Sequence, residues 1–406
     1  MGDLKYSQCD IISKMNSNQN KFIIVDFGAS LMHTHHKQSI FAFAHLFETK
    51  KIDYEIWVPL GSKIKNPKYK IRRILLPGTH PCAFELTRFS SWIPGLLAKI
   101  RQFASVNKLT LLTKLSVEIT ANYFLFILRL YKLQSVKILF PTACSFTYRA
   151  IEVLESEEFS SNIFCRLTNS SETGRRSSSD YNFQDLILDS SSFKNAKVKY
   201  GIETNAYMNK LASLGSKNLF ISKFPFIDSV SDRISSDSDI TVAFLGHPTV
   251  HKGHNDILPI IKSVLEVRKD IKFQVQLYDN DPLEQELKKF GSSVLIFSGK
   301  ISSDKLESAL RMSSVMCLPY DVSAFKFNSS AMMYHALNYN IPIYTYTGTA
   351  FAEDVKEYDC GYTVSNYFEM ADLIKKTSIS SLQNLMDGCY AYNNFRNNSN
   401  FYFLEI

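Results

Sequence analysis

With 406 residues the chain is too long for a single ordinary core, and two domains are the natural expectation. A hydrophobic share of 45% against 21% charged residues excludes a disordered chain and describes a globular one. The net charge of +7 suits anionic ligands, but it is diffuse and no nucleic-acid motif accompanies it, so nucleic acid is set aside as a partner.

The seven cysteines form no Cys-x-x-Cys pair and are odd in number, which reads as reduced thiols in a cytoplasmic protein. The N-terminus lacks the order of a signal peptide. The most hydrophobic window, Leu111 to Tyr131, is broken by Lys114, Glu118 and Arg129. It reads as a helix of the core or surface rather than a membrane span.

Met1 to Gln19 reads as a polar tail or short leading helix. Phe22 to Gly28 has the apolar run of a buried strand. After Met32-His33-Thr34-His35-His36 comes a helical pattern over Gln38 to Lys50, with Ile40, Phe43, Ala44 and Phe47 on one face. Tyr54 to Pro59 is the next strand, so the chain opens as a βαβ unit with a parallel sheet. Residues 60 to 110 are mixed and punctuated by Pro77-Gly78 and Pro94-Gly95. A long helix near 111 to 131 leads to the strand Val136 to Phe140, and a further helix covers Phe146 to Leu154. The strand Ile163 to Leu167 carries Arg166 and runs into a polar loop from Thr168 to Asp180. Further strands fall at Leu186 to Leu188 and Asn218 to Pro225, with a helix around Glu203 to Ser213.

The aperiodic polar stretch 227–239 is the best linker in the chain. It separates an N-terminal domain, 1–226, from a C-terminal one, 240–406, whose last helix is free to pack back on the first. In the second half, Thr241 to Leu245 is a strand, Lys252-Gly253 lies in the turn after it, and a helix begins at Asp256. Strand, glycine-bearing loop and helix is how an α/β protein offers amides and a lysine to a phosphate; a lysine pointing at water is the plain alternative. Strands at Phe273 to Tyr278, Val294 to Gly299, Val315 to Pro319 and Asn340 to Thr345 alternate with helices over Pro282 to Phe290, Ser303 to Ser313 (capped by Ser303) and from Ser329 on. The chain is therefore α/β: two Rossmann-like parallel α/β domains, with a ligand expected in a cleft between them, at the carboxyl ends of the strands.

Four segments of the second half resemble, in order, the donor-binding domain of GT-B glycosyltransferases, especially the retaining family 4 (group 1). Phe244-Leu245-Gly246 with Lys252-Gly253 is similar to that family's Phe-x-Gly-Arg…Lys-Gly loop. Phe297-Ser298-Gly299-Lys300-Ile301 is similar to its base-contacting Phe-x-Gly-x-Val. Cys317-Leu318-Pro319 is similar to its Leu-x-Pro-Ser strand end. His335 to Ile343 is similar to its Glu-Ala-Met-Ala-x-Gly-x-Pro-Val. The chain departs from the pattern at His247 in place of arginine, at Phe327 and His335 in place of the paired glutamates, and at Asn340 in place of glycine.

The resemblance implies a metal-independent hexosyltransferase, without a bound cofactor, that takes sugar from a nucleoside-diphosphate donor. The acceptor would be a glycan or a lipid-linked molecule, in cell-surface polysaccharide synthesis. It implies donor contacts at Gly246, His247, Lys252, Gly253, Gly299, Lys300, Ile301, Ser329, Ser330 and His335. His35, His36 and Arg166 are the first-domain candidates for acceptor orientation or catalysis, with capping, packing or salt-bridge roles as their plainer readings. His35 and His36 are adjacent and point apart, so no metal site is expected. The basic excess also suits peripheral contact at the inner face of a membrane, as a lipid-linked acceptor requires. The alternatives are a sugar-nucleotide epimerase or pyruvyl transferase on the same scaffold, or a non-catalytic nucleotide- or glycan-binding protein.

Overall fold

The structure is a computed structural model, and it describes residues 21–27, 29, 34–60, 62–76, 106–131, 133, 136–143, 145–156, 162–167, 197–226 and 240–405. The expected leading segment, the loop from Thr168 to Asp180, the strand at Leu186 to Leu188 and the linker 227–239 lie outside these residues. Two compact units divide the chain. The first takes in Met1–Glu203, Met208–Pro225 and Phe401–Ile406; the second takes in Thr204–Tyr207 and Phe226–Asn400.

The first unit holds a seven-stranded parallel sheet in the order β3-β2-β1-β4-β5-β6-β7. Its strands are β1 Phe22–Val25, β2 Tyr54–Pro59, β3 Ile71–Leu75, β4 Lys137–Phe140, β5 Asn162–Leu167, β6 Lys197–Ile202 and β7 Leu219–Ile221. Helices α1 Thr34–Thr49, α2 Val106–Leu130 and α3 Ser145–Ser156 connect them, and α4 Asn205–Ser213 follows β6. Ile40, Phe43, Ala44 and Phe47 of α1 are buried with Phe22, Ile24 and Ile56 of the sheet. Strands covered on both faces read as near-continuous apolar runs, which is why β1, β2, β4 and β5 are plain in the sequence. By contrast β3 is an edge strand of sequence Ile-Arg-Arg-Ile-Leu, half exposed, and its alternation is hidden by two arginines. Helix α1 begins at Thr34, earlier than its apolar stripe suggests, so His35 and His36 sit in its first turn and not in a loop.

The second unit holds a six-stranded parallel sheet in the order β10-β9-β8-β11-β12-β13. The strands are β8 Thr241–Phe244, β9 Lys272–Leu277, β10 Val294–Ser298, β11 Val315–Leu318, β12 Ile343–Tyr346 and β13 Gly361–Val364. The helices are α5 His254–Val267, α6 Leu283–Lys288, α7 Ser303–Met312, α8 Ala331–Asn338, α9 Ala352–Glu357, α10 Tyr367–Lys376 and α11 Ile379–Leu404. The cap of α7 is Ser302, which accepts from the Lys305 amide, and not Ser303 as expected: Ser302 is the residue with extended backbone just before the first helical turn. Of the elements from α9 onward, only the last helix was expected from the sequence; α9, β13 and α10 have no counterpart in it.

In each sheet the strand order reverses direction beside its first strand, between β1 and β4 in one and between β8 and β11 in the other. Such switch points, at the carboxyl ends of the strands, are where open α/β sheets leave a crevice for ligands.

Candidate functional site

After β8 the chain turns sharply at Gly246, whose φ of +107° favours glycine, and a Cβ there would stand 2.6 Å from the Met332 side chain. The Gly246 amide donates to the Gln276 side chain at 3.0 Å, and the Gln276 amide nitrogen donates to the Gly299 carbonyl at 2.8 Å. One buried side chain on β9 therefore ties together two of the turns that the sequence singled out. Val250–Lys252 forms a single 3-10 turn, closed by Gly253 at φ +73°. A Cβ on Gly253 would lie 2.1 Å from the Pro319 carbonyl oxygen, so this backbone rests directly on the end of β11. The Asp321 amide donates to the His251 carbonyl at 2.9 Å and fixes the same junction.

Lys252 leaves this turn half-buried, with its amine 5.9 Å from the centre of the Tyr320 ring. It makes no ion pair among the described residues, and burial pushes its pKa down. With Gly246, Thr249, His254, Gln276 and Tyr320 it lines a small pocket of about 20 Å³, room for about one water molecule. Opposite Gly246 lies the start of α8, capped by the buried Ser330, whose hydroxyl accepts from the Met333 amide at 3.3 Å. The amides of Ala331 and Met332 have no carbonyl within the helix to bond, and the helix dipole adds partial positive charge there.

The remaining donor-side candidates are more dispersed. Ser329 and Ile301 are half-buried, and Lys300 and His247 are exposed, the His247 ring edge-on to Tyr278 at 5.7 Å. Gly299, at φ +70°, packs on the Asp279 carboxylate. His335 lies a turn beyond the α8 cap, and burial, then the charge of Arg396, lowers its pKa, so the ring is held neutral. Asn340 has φ +53°, and asparagine tolerates this left-handed conformation; the missing glycine is thereby accounted for.

In the first unit, Asp26 follows β1 directly and bonds His36 Nδ1 at 3.0 Å. Burial alone would lower the His36 pKa, but the hydrogen bond and charge of Asp26 outweigh it and the net shift is upward. The His35 side chain lies outside the described residues. Arg166 has a different place from the strand-end ligand expected of it. It is wholly buried, donating to the Ser222 carbonyl at 3.2 Å, to the Pro141 carbonyl at 3.4 Å and to the Glu203 carboxylate. The rings of Phe43 and Phe224 flank it. A charge so enclosed survives only when its own chain satisfies it, so Arg166 is a structural residue.

Asp26 and Gln276 were not selected from the sequence as members of a site, while Tyr320 reads there equally as a core and as a sugar-contacting residue. The signal was there for the first two: Gln276 is a polar residue inside a buried parallel strand, and Asp26 sits where such a strand ends.

No protein-family model matches this sequence, and neither does any curated protein. Solved structures do match. Sucrose-phosphate synthase from Thermosynechococcus elongatus superposes with a TM-score of 0.62 at 10% identity, over 95% of this chain and 97% of that one. The α,α-trehalose 6-phosphate synthase of Burkholderia multivorans gives 0.61 at 10% identity, over 95% and 96%. Anabaena HepE, solved in complex with UDP-glucose, gives 0.55 at 9% identity, over 95% and 98%. The chain has the GT-B fold. Its two parallel-sheet units, of seven and six strands, are the two Rossmann-like halves of that GT-B architecture. At such low identity the likeness is one of fold, and the chemistry has to be argued from the residues above.

Proposed function

We propose that this GT-B protein is a glycosyltransferase that moves a sugar from a nucleoside-diphosphate donor to a glycan or lipid-linked acceptor, in cell-surface polysaccharide synthesis at the cytoplasmic side of a membrane. No helix among the described residues is long and apolar enough to cross a bilayer, so any contact with a lipid-linked acceptor would be peripheral. The observation that carries the reading is Lys252: a half-buried amine with no ion pair among the described residues, at the switch point of the second sheet and beside the open start of α8. Such a group calls for an anion from outside the chain. In the reaction, the bond from the sugar's anomeric carbon to the diphosphate breaks and a bond to an acceptor hydroxyl forms. Lys252 and the α8 amides take up the charge that develops on the departing diphosphate, the part a divalent metal plays elsewhere. The acceptor's proton passes to a base, for which His36, oriented by Asp26, is the first-unit candidate.

A panel of UDP-, GDP-, ADP- and CMP-linked compounds tests the donor class by thermal shift, since a ligand of the folded state raises the midpoint with occupancy. No shift from any nucleoside diphosphate would overturn the reading. Incubation with UDP-sugars, alone and with an acceptor, then separates a transferase from an epimerase, which needs no acceptor. One observation favours a second reading. Where the resembling family has two glutamates, this chain has Phe327 and a half-buried His335 whose pKa is lowered by burial and by Arg396. Nucleotide binding without turnover on any acceptor would make the protein a non-catalytic binder.

A further inference from the structure

Two buried polar atoms on residues lining the Lys252 pocket make no hydrogen bond of good geometry among the described residues: the Tyr320 hydroxyl, whose one polar neighbour with an effect on its pKa is Ser330, and His254 Nδ1. The other nitrogen of His254 is taken by the Asp281 carboxylate, 3.1 Å away. Buried polar atoms are almost always paired, so two orphans in one small pocket point to something that the pocket is built to receive.

Tyr320 is the sharper of the two. It is only 3% exposed, and its ring is held by Phe325, with centroids 4.6 Å apart, and edge-on by Phe351 at 5.8 Å. The hydroxyl faces the Gly246 turn, where a Cβ would stand 3.8 Å from the oxygen. The Lys252 amine lies over the same ring. The Ser330 hydroxyl, the capping group of α8, already accepts from the Met333 amide. Burial pushes the phenol up to about 12, with Ser330 pulling the other way, so the group keeps its proton and remains a donor. A phenylalanine would fill this space equally well and leave no orphaned oxygen. The hydroxyl therefore serves something other than packing.

We propose that Tyr320 is a ligand of the oxyanion held by Lys252, its O–H donating to a phosphoryl oxygen of the bound diphosphate. The inference rests on the reading of this pocket as a diphosphate site. It adds a neutral, shape-fixed donor to the site, in the loop after β11.

The test is Tyr320→Phe in the full chain, titrated calorimetrically with inorganic pyrophosphate and with UDP, alongside the melting midpoint without ligand. A hydrogen bond to a charged group predicts affinity lower by about tenfold or more for both probes. Removing an orphaned hydroxyl predicts a ligand-free midpoint that is unchanged or higher. Wild-type affinity in Tyr320→Phe, with the wild-type protein binding both probes, overturns the inference and leaves the diphosphate reading standing. Weaker binding accompanied by a lower ligand-free midpoint is a packing defect and also overturns it. If the wild-type protein binds neither probe, the diphosphate reading falls and this inference falls with it.

Discussion

Arg166 in the first unit and Lys252 in the second began as equals: each is a cation near the carboxyl end of a parallel strand, and each was read as a ligand for an anionic substrate. Arg166 is the more deeply buried, yet its guanidinium donates to two carbonyls and the Glu203 carboxylate, between two aromatic rings. Lys252 keeps partial access to solvent, with the Tyr320 ring centre 5.9 Å from its amine and no ion pair among the described residues. Taking a charge out of water is costly in both places. The first unit meets that cost from its own sequence, so Arg166 holds the fold. The second supplies no counter-charge among its described residues, and on the proposed reading the diphosphate brings it. What separates a structural cation from a functional one here is satisfaction, not depth.

The comparison breaks most visibly at Arg166. Arg166→Ala strands the Glu203 carboxylate and should cost roughly 3–5 kcal/mol in urea unfolding, the usual penalty for removing one partner of a buried pair. A loss below about 1 kcal/mol would show that the pair is not structural. Replacing both partners, as Arg166→Met with Glu203→Leu, should recover most of the loss, because the double variant leaves no lone charge.

Lys252→Ala should behave in the opposite way. Turnover from a nucleoside-diphosphate donor should fall about a hundredfold, comparable to the loss of one preorganised donor in an oxyanion site. Stability should hold or rise, because a half-buried amine without an ion pair among the described residues is being removed. Near-normal turnover would strip Lys252 of its role, whatever the stability does.

How far each of these residues could be read from the sequence follows from the same physics. The sheets were legible because strands covered on both faces carry unbroken apolar runs, as in Phe22–Val25 and Val315–Leu318. The edge strand β3 was not, since Arg72 and Arg73 hide its alternation. The turn around Lys252 and the cap at Ser330 were legible because glycine and serine are demanded by backbone geometry that local sequence records. For Arg166 the sequence left a ligand role and a salt bridge both open, because its partners Ser222, Glu203 and Pro141 lie from 25 to 56 positions away. No local pattern reports a pairing of that range. Gln276 escaped for the same reason: it is ordinary in its own segment and becomes meaningful only against Gly246 and Gly299.

A smaller effect separates the units at low pH. Glu55 on β2 is buried, and burial alone would raise its pKa. Hydrogen bonds from Lys70, Lys21 and Trp57, with the charge of Lys21, outweigh that and hold the carboxyl at about 2. A carboxyl depressed in the folded state contributes stability above its unfolded value, near 4.5, and loses it as the pH falls toward the folded one. Acid unfolding of the wild-type protein should therefore steepen between about 4.5 and 2, and Glu55→Gln should flatten that span while costing on the order of 2 kcal/mol at neutral pH. An unchanged acid limb in Glu55→Gln would mean that the cations around it contribute nothing.

The least effect on stability, and the most informative for mechanism, is expected at His36. Its folded pKa is raised above 6.5, so the Asp26 contact contributes fully below 6.5 and is lost as the pH rises through the folded value. The stability advantage of the wild-type protein over Asp26→Asn should thus be greatest below 6.5 and shrink above it, and the NMR titration midpoint of the His36 ring should move down in the variant. If His36 is the acceptor's base, turnover needs the ring deprotonated, and the ascending limb of the pH–rate profile must follow that midpoint downward in Asp26→Asn. A ring midpoint that moves while the kinetic limb stays in place would leave His36 and Asp26 as a pair that only positions the start of α1. His36 and Arg166 would then both be accounted for by ion pairs, the first unit would have no assigned catalytic group, and the base would have to lie among residues outside those described.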